Sequence, residues 1–241
     1  MITFDRNRTA TLAAATALCV AAAGPADALS IRMLDSAGQV DVADNGAGDT
    51  DPTVGAIDFD SSAPGSPALS EWGLTSAQIS GCASGCPTPN LALSLEGNSL
   101  ADDGTLTFMA TQTDLTLGSD EWLGQHSLGG FAADDVTVQA FWDPSNAAYG
   151  MAEEIGDAFA FSASGAAFDS FSQDYFEDID GSSPFSMTTV VTFNHAEGDT
   201  QSFVTSKAEV SAVPLPAALP MLGAGLVGMG LVARKRRRDA A

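Results

Sequence analysis

The stretch FSMTTVVTF, residues 185–193, places a large apolar side chain on almost every second position. Phe185, Met187, Val191 and Phe193 would share one face of a strand, because successive side chains of a strand point to opposite faces. Serine, threonine and valine occupy the positions between them. This period of two predicts a β-strand that buries one face in a core.

The same period recurs on both sides of this stretch. It is found at residues 30–35, 39–43, 91–96, 105–109, 136–141, 159–161 and 205–210. Clusters of Gly, Asp, Asn, Ser and Pro separate these runs, as expected for turns between short strands. The pattern predicts an all-β fold, an antiparallel β-sandwich of the jelly-roll or immunoglobulin-like kind, formed by residues 29–212 as one domain.

Three segments depart from this pattern. Residues 70–79 (SEWGLTSAQI) and 145–155 could each form a helix of a turn or two, although both contain a glycine. Residues 162–183 have the weakest periodicity in the body of the chain, and we expect a long loop there.

The acidic excess lies between the two ends of the chain. Seven of the nine Lys and Arg residues are found at positions 6, 8 and 234–238. Residues 29–216 therefore hold two basic side chains, Arg32 and Lys207, against 28 acidic ones. A body this negative repels phosphate backbones, which excludes nucleic acid as a partner.

The first 28 residues have the layout of a secretory signal peptide. Arg6 and Arg8 give a positive start, and a short apolar run follows at residues 9–23. Ala26 and Ala28 then form a small-x-small cleavage site. The run is short for a membrane span, which argues against a retained anchor or a buried core helix. We expect cleavage after Ala28 and export of the body.

A second apolar segment lies near the C-terminus. Residues 217–233 carry no charge and would reach roughly 25 Å as a helix, just enough to cross a thin bilayer. A basic cluster follows, formed by Arg234, Lys235, Arg236, Arg237 and Arg238. Such a cluster stays in the cytoplasm, so the acidic body is expected outside it. By itself the segment predicts one transmembrane helix.

The residues before this helix are Val213, Pro214, Leu215, Pro216 and Ala217. This motif, one glycine-rich span and a terminal Arg cluster together resemble the PEP-CTERM class of bacterial sorting signals, in its VPLPA variant. The resemblance covers about residues 213–238. It implies that an exosortase-like membrane protease cuts near the motif, after delivery by the secretion machinery, and releases the body to the cell surface or extracellular matrix. A permanent anchor that is never cut is the alternative.

The body keeps two of the three cysteines, because Cys19 leaves with the signal peptide. Cys82 and Cys86 are four residues apart in an exported protein, which predicts a small disulfide loop. A redox pair would use Cys-x-x-Cys, and zinc would need two further ligands when only His126 and His195 exist. Both alternatives fit less well than a structural disulfide.

Closely spaced acids raise the possibility of a calcium site, because calcium takes six to eight oxygen ligands. The candidates are Asp44, Asp49 and Asp51, beside Asp41 and Asn45. The turn DNGAGD at residues 44–49 also resembles the start of many PEP-CTERM proteins. Further acids cluster at residues 102–103 and 174–180, and none of the groups fits an EF-hand. A solvated acidic surface adapted to salt explains them better, so we expect no required cofactor and hold calcium as a candidate.

No catalytic motif is present. The chain lacks a nucleophile elbow, a P-loop and a His-Glu-x-x-His zinc motif, and we expect no enzymatic activity. Trp72, Trp122 and Trp142 could line a sugar-binding face, although a core or edge position fits them better. The sequence thus favours a structural or exopolysaccharide-associated component of the surface or matrix. A carbohydrate- or calcium-dependent binding module on the cell surface is the alternative.

Overall fold

The computed structural model describes residues 29–213, except for 37, 65, 68, 70, 83–85, 87, 101–103, 118–121, 134, 164–168, 180–183 and 196–200. Its elements are thirteen β-strands. Their bounds are β1 Leu29–Asp35, β2 Gly38–Ala43, β3 Ala56–Phe59, β4 Trp72–Gly81, β5 Asn90–Ser99, β6 Gly104–Leu115, β7 Trp122–Ala132, β8 Asp135–Asp143, β9 Glu153–Glu154, β10 Phe159–Phe161, β11 Asp169–Ile179, β12 Phe185–His195 and β13 Gln201–Ala212.

The strands form two antiparallel sheets, which confirms the all-β, two-sheet prediction. The seven-stranded sheet has the order β10-β8-β12-β6-β1-β2, and β9 also pairs with β8. The six-stranded sheet has the order β11-β7-β13-β5-β4-β3. Neighbours in both sheets are mostly distant in sequence, so the fold depends on long-range pairing.

The core lies between the inner faces of the two sheets. Strand β5 shows the reason most clearly, because Leu91, Leu93 and Leu95 are buried while the residues between them are half-buried on the outer face. Trp72, Trp122 and Trp142 are all buried as well, between 1% and 6% exposed, so they belong to the core. Removing this much apolar surface from water is the main stabilising contribution.

Strand β12, the stretch that predicted the fold, lies at the centre of the seven-stranded sheet, and much of its outer face is also covered. Residues 144–150 fold over that face, where Ser186 Oγ donates to the carbonyl of Ala147 at 2.7 Å. Asn146 exchanges two hydrogen bonds of 2.8 Å with Asp114, and the Tyr149 ring lies 4.2 Å from the Arg32 guanidinium carbon. This covering segment closes part of the outer face of the seven-stranded sheet.

The two predicted helices are wrong. Residues 72–81 form strand β4, and a β-bulge between Leu74 and Ser76 shifts the alternation there by one residue. Leu74, Ala77 and Ile79 all face the core, but the spacing of three between Leu74 and Ala77 interrupts the period of two that predicts a strand. Residues 145–155 hold turns of the covering segment and the short strand β9, with positive φ angles at Asn146 and Tyr149.

The predicted long loop at residues 162–183 is also wrong in part, because β11 pairs with β7 along its whole length. As an edge strand, β11 buries little of its surface. Its inward-facing apolar residues are Phe171, Tyr175 and Ile179, and the polar residues Gln173 and Glu177 occupy the inward-facing positions between them. The alternation is therefore too weak to be recognised from the sequence.

The predicted disulfide between Cys82 and Cys86 is confirmed. Gln112, buried in β6 of the opposite sheet, accepts a hydrogen bond from the Cys82 amide at 2.8 Å and donates to the Cys82 carbonyl. One side chain thus joins the two sheets beside the disulfide.

The predicted signal peptide, the predicted transmembrane helix at 217–233 and the basic cluster lie outside the described residues, as does the predicted sorting motif apart from Val213. Within residues 29–213, as far as they are described, no helix is long and apolar enough to cross a membrane.

Candidate functional site

The outer face of the six-stranded sheet carries a trough that crosses all six strands. Strand register fixes its floor, because directly paired residues point to the same side of a sheet. One row of paired outward residues consists of Asp58, Gln78, Ser94, Thr205, Gly129 and Ser172. The next row consists of Ala56, Ser80, Ala92, Lys207, Ser127 and Asp174. These two rows define the trough, and most of their side chains are small.

Two depressions of about 400 Å³ each lie along the trough. The first is lined by Asp51, Asp58 and Gln78 on the side of β3 and β4. The second is lined by Asp174 and Lys207, among others, on the side of β7, β11 and β13. Ala92 lines both, so the depressions meet at its position. Five steps between neighbouring strands of about 4.8 Å give the trough a length of roughly 24 Å.

Bulkier residues line the two long sides of the trough in the half formed by β13, β7 and β11. On one side, the rings of Phe131 and Phe203 stack with centroids 5.5 Å apart. On the other side are Glu209, Gln125 and Phe176, which are paired across β13, β7 and β11. Phe176 is 60% exposed, so its ring offers a large apolar surface at this side of the trough. An exposed ring of this kind is available to pack against a ligand.

The charged groups of the trough are mostly hydrogen-bond acceptors. Lys207 is paired with Glu209 two residues along the same face, so its charge is compensated within the protein. The carboxylates of Asp58 and Asp174 have no hydrogen-bond partner among the residues that the structure describes. Asp51 accepts a hydrogen bond from the Thr53 amide at 2.8 Å, and hydrogen bonding by Thr53 lowers the pKa of Asp51.

The structure brings the three calcium candidates into one loop between β2 and β3, where their carboxylates accept hydrogen bonds from the protein itself. Asp44 accepts from the Gly55 amide at 2.7 Å, and Asp51 accepts from Thr53. Asp49 accepts from three amide groups at 2.7 to 3.0 Å, those of Asn45, Asp51 and Asp58. In the described part of the chain, no group of three or more His, Cys, Asp or Glu side chains is placed to hold a metal ion.

The other acidic groups of the sequence are separated by the fold. On β11, Asp174 and Asp178 face outward while Glu177 faces the opposite side. Asp102, Asp103 and Asp180 lie outside the described residues.

Both histidines are fully buried between the sheets. His126 Nε2 lies 2.8 Å from Ser206 Oγ, and His195 Nε2 lies 3.0 Å from Ser202 Oγ. Burial lowers the pKa of His126 to about 4, so this ring is neutral at physiological pH. Neither imidazole reaches the outer face, and neither can act as a base on an external substrate.

Sequence reasoning identified Asp51 and Asp174 as candidate ligands but missed the trough as a unit. Asp58, Gln78, Lys207 and Phe176 were not singled out, and they come from four different strands, β3, β4, β13 and β11. The one available signal was the polar, small-residue half of each alternating run, which by itself resembles any solvated strand face.

No family model matches this chain, and no curated protein matches it. Among solved structures, it is similar to the mannan-recognising carbohydrate-binding module TmCBM27, with 11% identity and a TM-score of 0.25 over 66% of this chain and 99% of that one. It is also similar to the family 11 carbohydrate-binding module of a cellulosomal cellulase of Clostridium thermocellum, with 12% identity and a TM-score of 0.27 over 68% and 99% of the two chains. The enzymatically active domain of a bacteriophage CBA120 tailspike shares 13% identity and a TM-score of 0.27, over 61% of this chain and 21% of the tailspike chain. These likenesses are too distant to assign an activity.

Proposed function

We propose that this protein is an exported, non-catalytic β-sandwich that holds a polysaccharide chain in the trough, at the bacterial surface or in the extracellular matrix. The observation that carries the proposal is the trough itself. It runs from edge strand β3 to edge strand β11, so a polymer lying in it can continue past both edges of the sheet. A polymer with a narrow cross-section fits this shape better than a compact small molecule.

The composition of the trough suits sugar hydroxyl groups. Serine and threonine hydroxyls both donate and accept hydrogen bonds, and the Gln78 amide does the same. The small side chains of Ala92 and Gly129 let a ligand approach the sheet backbone closely. Phe176 offers an apolar surface at the rim, where the less polar face of a sugar ring can pack.

A binding role fits the chemistry of the described residues better than a catalytic one. Both histidines are buried against serine hydroxyls. Asp58 and Asp174, the two trough carboxylates without hydrogen-bond partners in the described structure, are on the two edge strands, β3 and β11. The separation of Asp58 and Asp174, roughly 24 Å, is far beyond the 5 to 10 Å or so that a pair of glycosidase carboxylates requires, so these two do not form such a pair.

Export and sorting are part of the same proposal. The signal peptide with its cleavage site at Ala28, and the resemblance of residues 213–238 to a VPLPA-type sorting signal, support delivery across the inner membrane and processing by an exosortase-like protease. The confirmed Cys82–Cys86 disulfide fits an oxidising destination.

A filled trough tests the binding proposal. In Ala92→Trp, an indole would occupy the point where the two depressions meet, and retention of the exported protein on its target polysaccharide should fall by at least about tenfold. Ala160→Trp is the matched control, because Ala160 is exposed on the outer face of the other sheet. Equal retention of the two variants would show that the trough is not the binding site.

Mass spectrometry of the surface fraction tests the sorting proposal. We expect a mature C-terminus near the motif that begins at Val213. A surface protein that still ends at Ala241 would contradict processing.

A further inference from the structure

Building on the proposed function, we infer that the trough selects polysaccharides that carry free amino groups over neutral and acidic ones. The inference rests on the positions and partners of its charged side chains. Asp51 and Asp58 line one depression, and Asp174 lines the other. Lys207, the sole basic residue among those lining the two depressions, is already paired with Glu209.

The unpaired carboxylates are suited to an ammonium group. A carboxylate only accepts hydrogen bonds, and a protonated sugar amine only donates them. Asp58 and Asp174 have no hydrogen-bond partner within the described parts of the chain, so a ligand that binds them displaces no protein contact. Hydrogen bonds between such charged groups are shorter and stronger than those of neutral hydroxyls.

The same charges act against acidic polysaccharides. A uronic acid or sulfated polymer offers acceptors to a surface that already presents acceptors, and it would approach a body with two basic side chains against 28 acidic ones. Repulsion of this kind lowers both the association rate and the affinity, and salt weakens it. Neutral polymers are neither attracted nor repelled, and they depend on the hydroxyl and aromatic contacts alone.

The expected preference is moderate because the trough is open to water. Exposed ion pairs commonly change an equilibrium constant by up to about fivefold each. Two carboxylates would then favour the amino form by roughly tenfold at low salt, and by less in 1 M salt, where the screening length falls to about 3 Å.

Calorimetric titration with two forms of one polymer tests the inference. The probes are water-soluble glucosamine oligomers with a β-1,4 backbone and the same oligomers after N-acetylation, which differ in the amine charge. We expect the exported protein to bind the amino form about tenfold more tightly at low salt. The double variant Asp58→Asn with Asp174→Asn should lose this preference, so that its affinities for the two forms become equal.

A second double variant separates a specific site from general attraction between an acidic protein and a cationic polymer. Asp135→Asn with Asp157→Asn removes the same charge from exposed positions outside the trough and should keep the preference. Equal losses in both double variants would overturn the inference. Equal affinity of the wild-type protein for the two probes would overturn it too. If Ala92→Trp abolished that equal binding, the proposed function would still stand, because the trough would then bind polysaccharide without selecting amino groups.

Discussion

Acidification is expected to destabilise the fold through one buried histidine. His126 is fully buried, and its pKa lies near 4 because burial disfavours the charged ring. The same side chain in the unfolded protein has a pKa of about 6.5.

Between these two pKa values the unfolded chain binds a proton that the native protein does not. The free energy of unfolding is therefore unaffected above about pH 6.5, falls as the pH drops, and levels off near pH 4. One pKa unit corresponds to about 1.4 kcal/mol, so the total loss is about 3 kcal/mol.

Denaturant unfolding of wild type and His126→Gln, followed by tryptophan fluorescence, measures this loss. Glutamine is neutral at every pH and can still hydrogen-bond to Ser206. Protonation of the many carboxylates also changes stability, but it does so in both proteins, so the informative quantity is the difference between their losses from pH 7 to pH 4. We expect wild type to lose about 3 kcal/mol more than the variant. Parallel pH profiles would refute the reasoning.

Three further results are expected. Phe176→Ala should weaken polysaccharide binding by about tenfold in a retention assay, because the exposed ring contributes roughly 1 to 2 kcal/mol when a ligand covers it. An unchanged affinity would show that Phe176 is not part of the site. Gln112→Met keeps the side-chain volume but leaves the Cys82 carbonyl without the Gln112 donor, so the free energy of unfolding should fall by about 2 kcal/mol. An unchanged free energy would show that this bridge between the sheets does not contribute to stability. The thermal unfolding midpoint should drop when salt is lowered from 0.15 M to 0.01 M, because the screening length grows from about 8 to about 30 Å and the acidic side chains repel one another more strongly. A constant midpoint would contradict strong self-repulsion.

The sequence predicted strands wherever one face of the strand is regularly apolar. Strands β5, β8 and β12 follow the period of two because their inner faces pack against the opposite sheet. The same rule failed at β4, where a bulge shifts the alternation, and at β11, where an edge position removes the need for a continuous apolar face. Both failures have a tertiary cause that no local window contains.

The candidate site was harder to predict than the fold. Its floor depends on the register of five strand pairings, which joins Asp58 to Asp174 across more than a hundred residues of sequence. The calcium hypothesis singled out Asp49 by its spacing, and the structure shows this carboxylate accepting hydrogen bonds from amides of its own loop. Spacing alone could not distinguish an acid that organises a turn from one that faces a ligand. Calcium remains a prediction.

The position of the last strand has a mechanical consequence. Strand β13 is central in the six-stranded sheet, and the chain leaves the sheet at Val213. Its ladders of backbone hydrogen bonds run from Gln201 to Glu209 beside β5 and from Ser202 to Ala212 beside β7. A pull on the chain beyond Val213, opposed by a polymer seated across the same sheet, would load both ladders in shear along their length. Bonds loaded in this way resist together rather than opening one after another. A protein tethered at this end would therefore hold the bound polymer against flow or traction better than a protein attached through an edge strand.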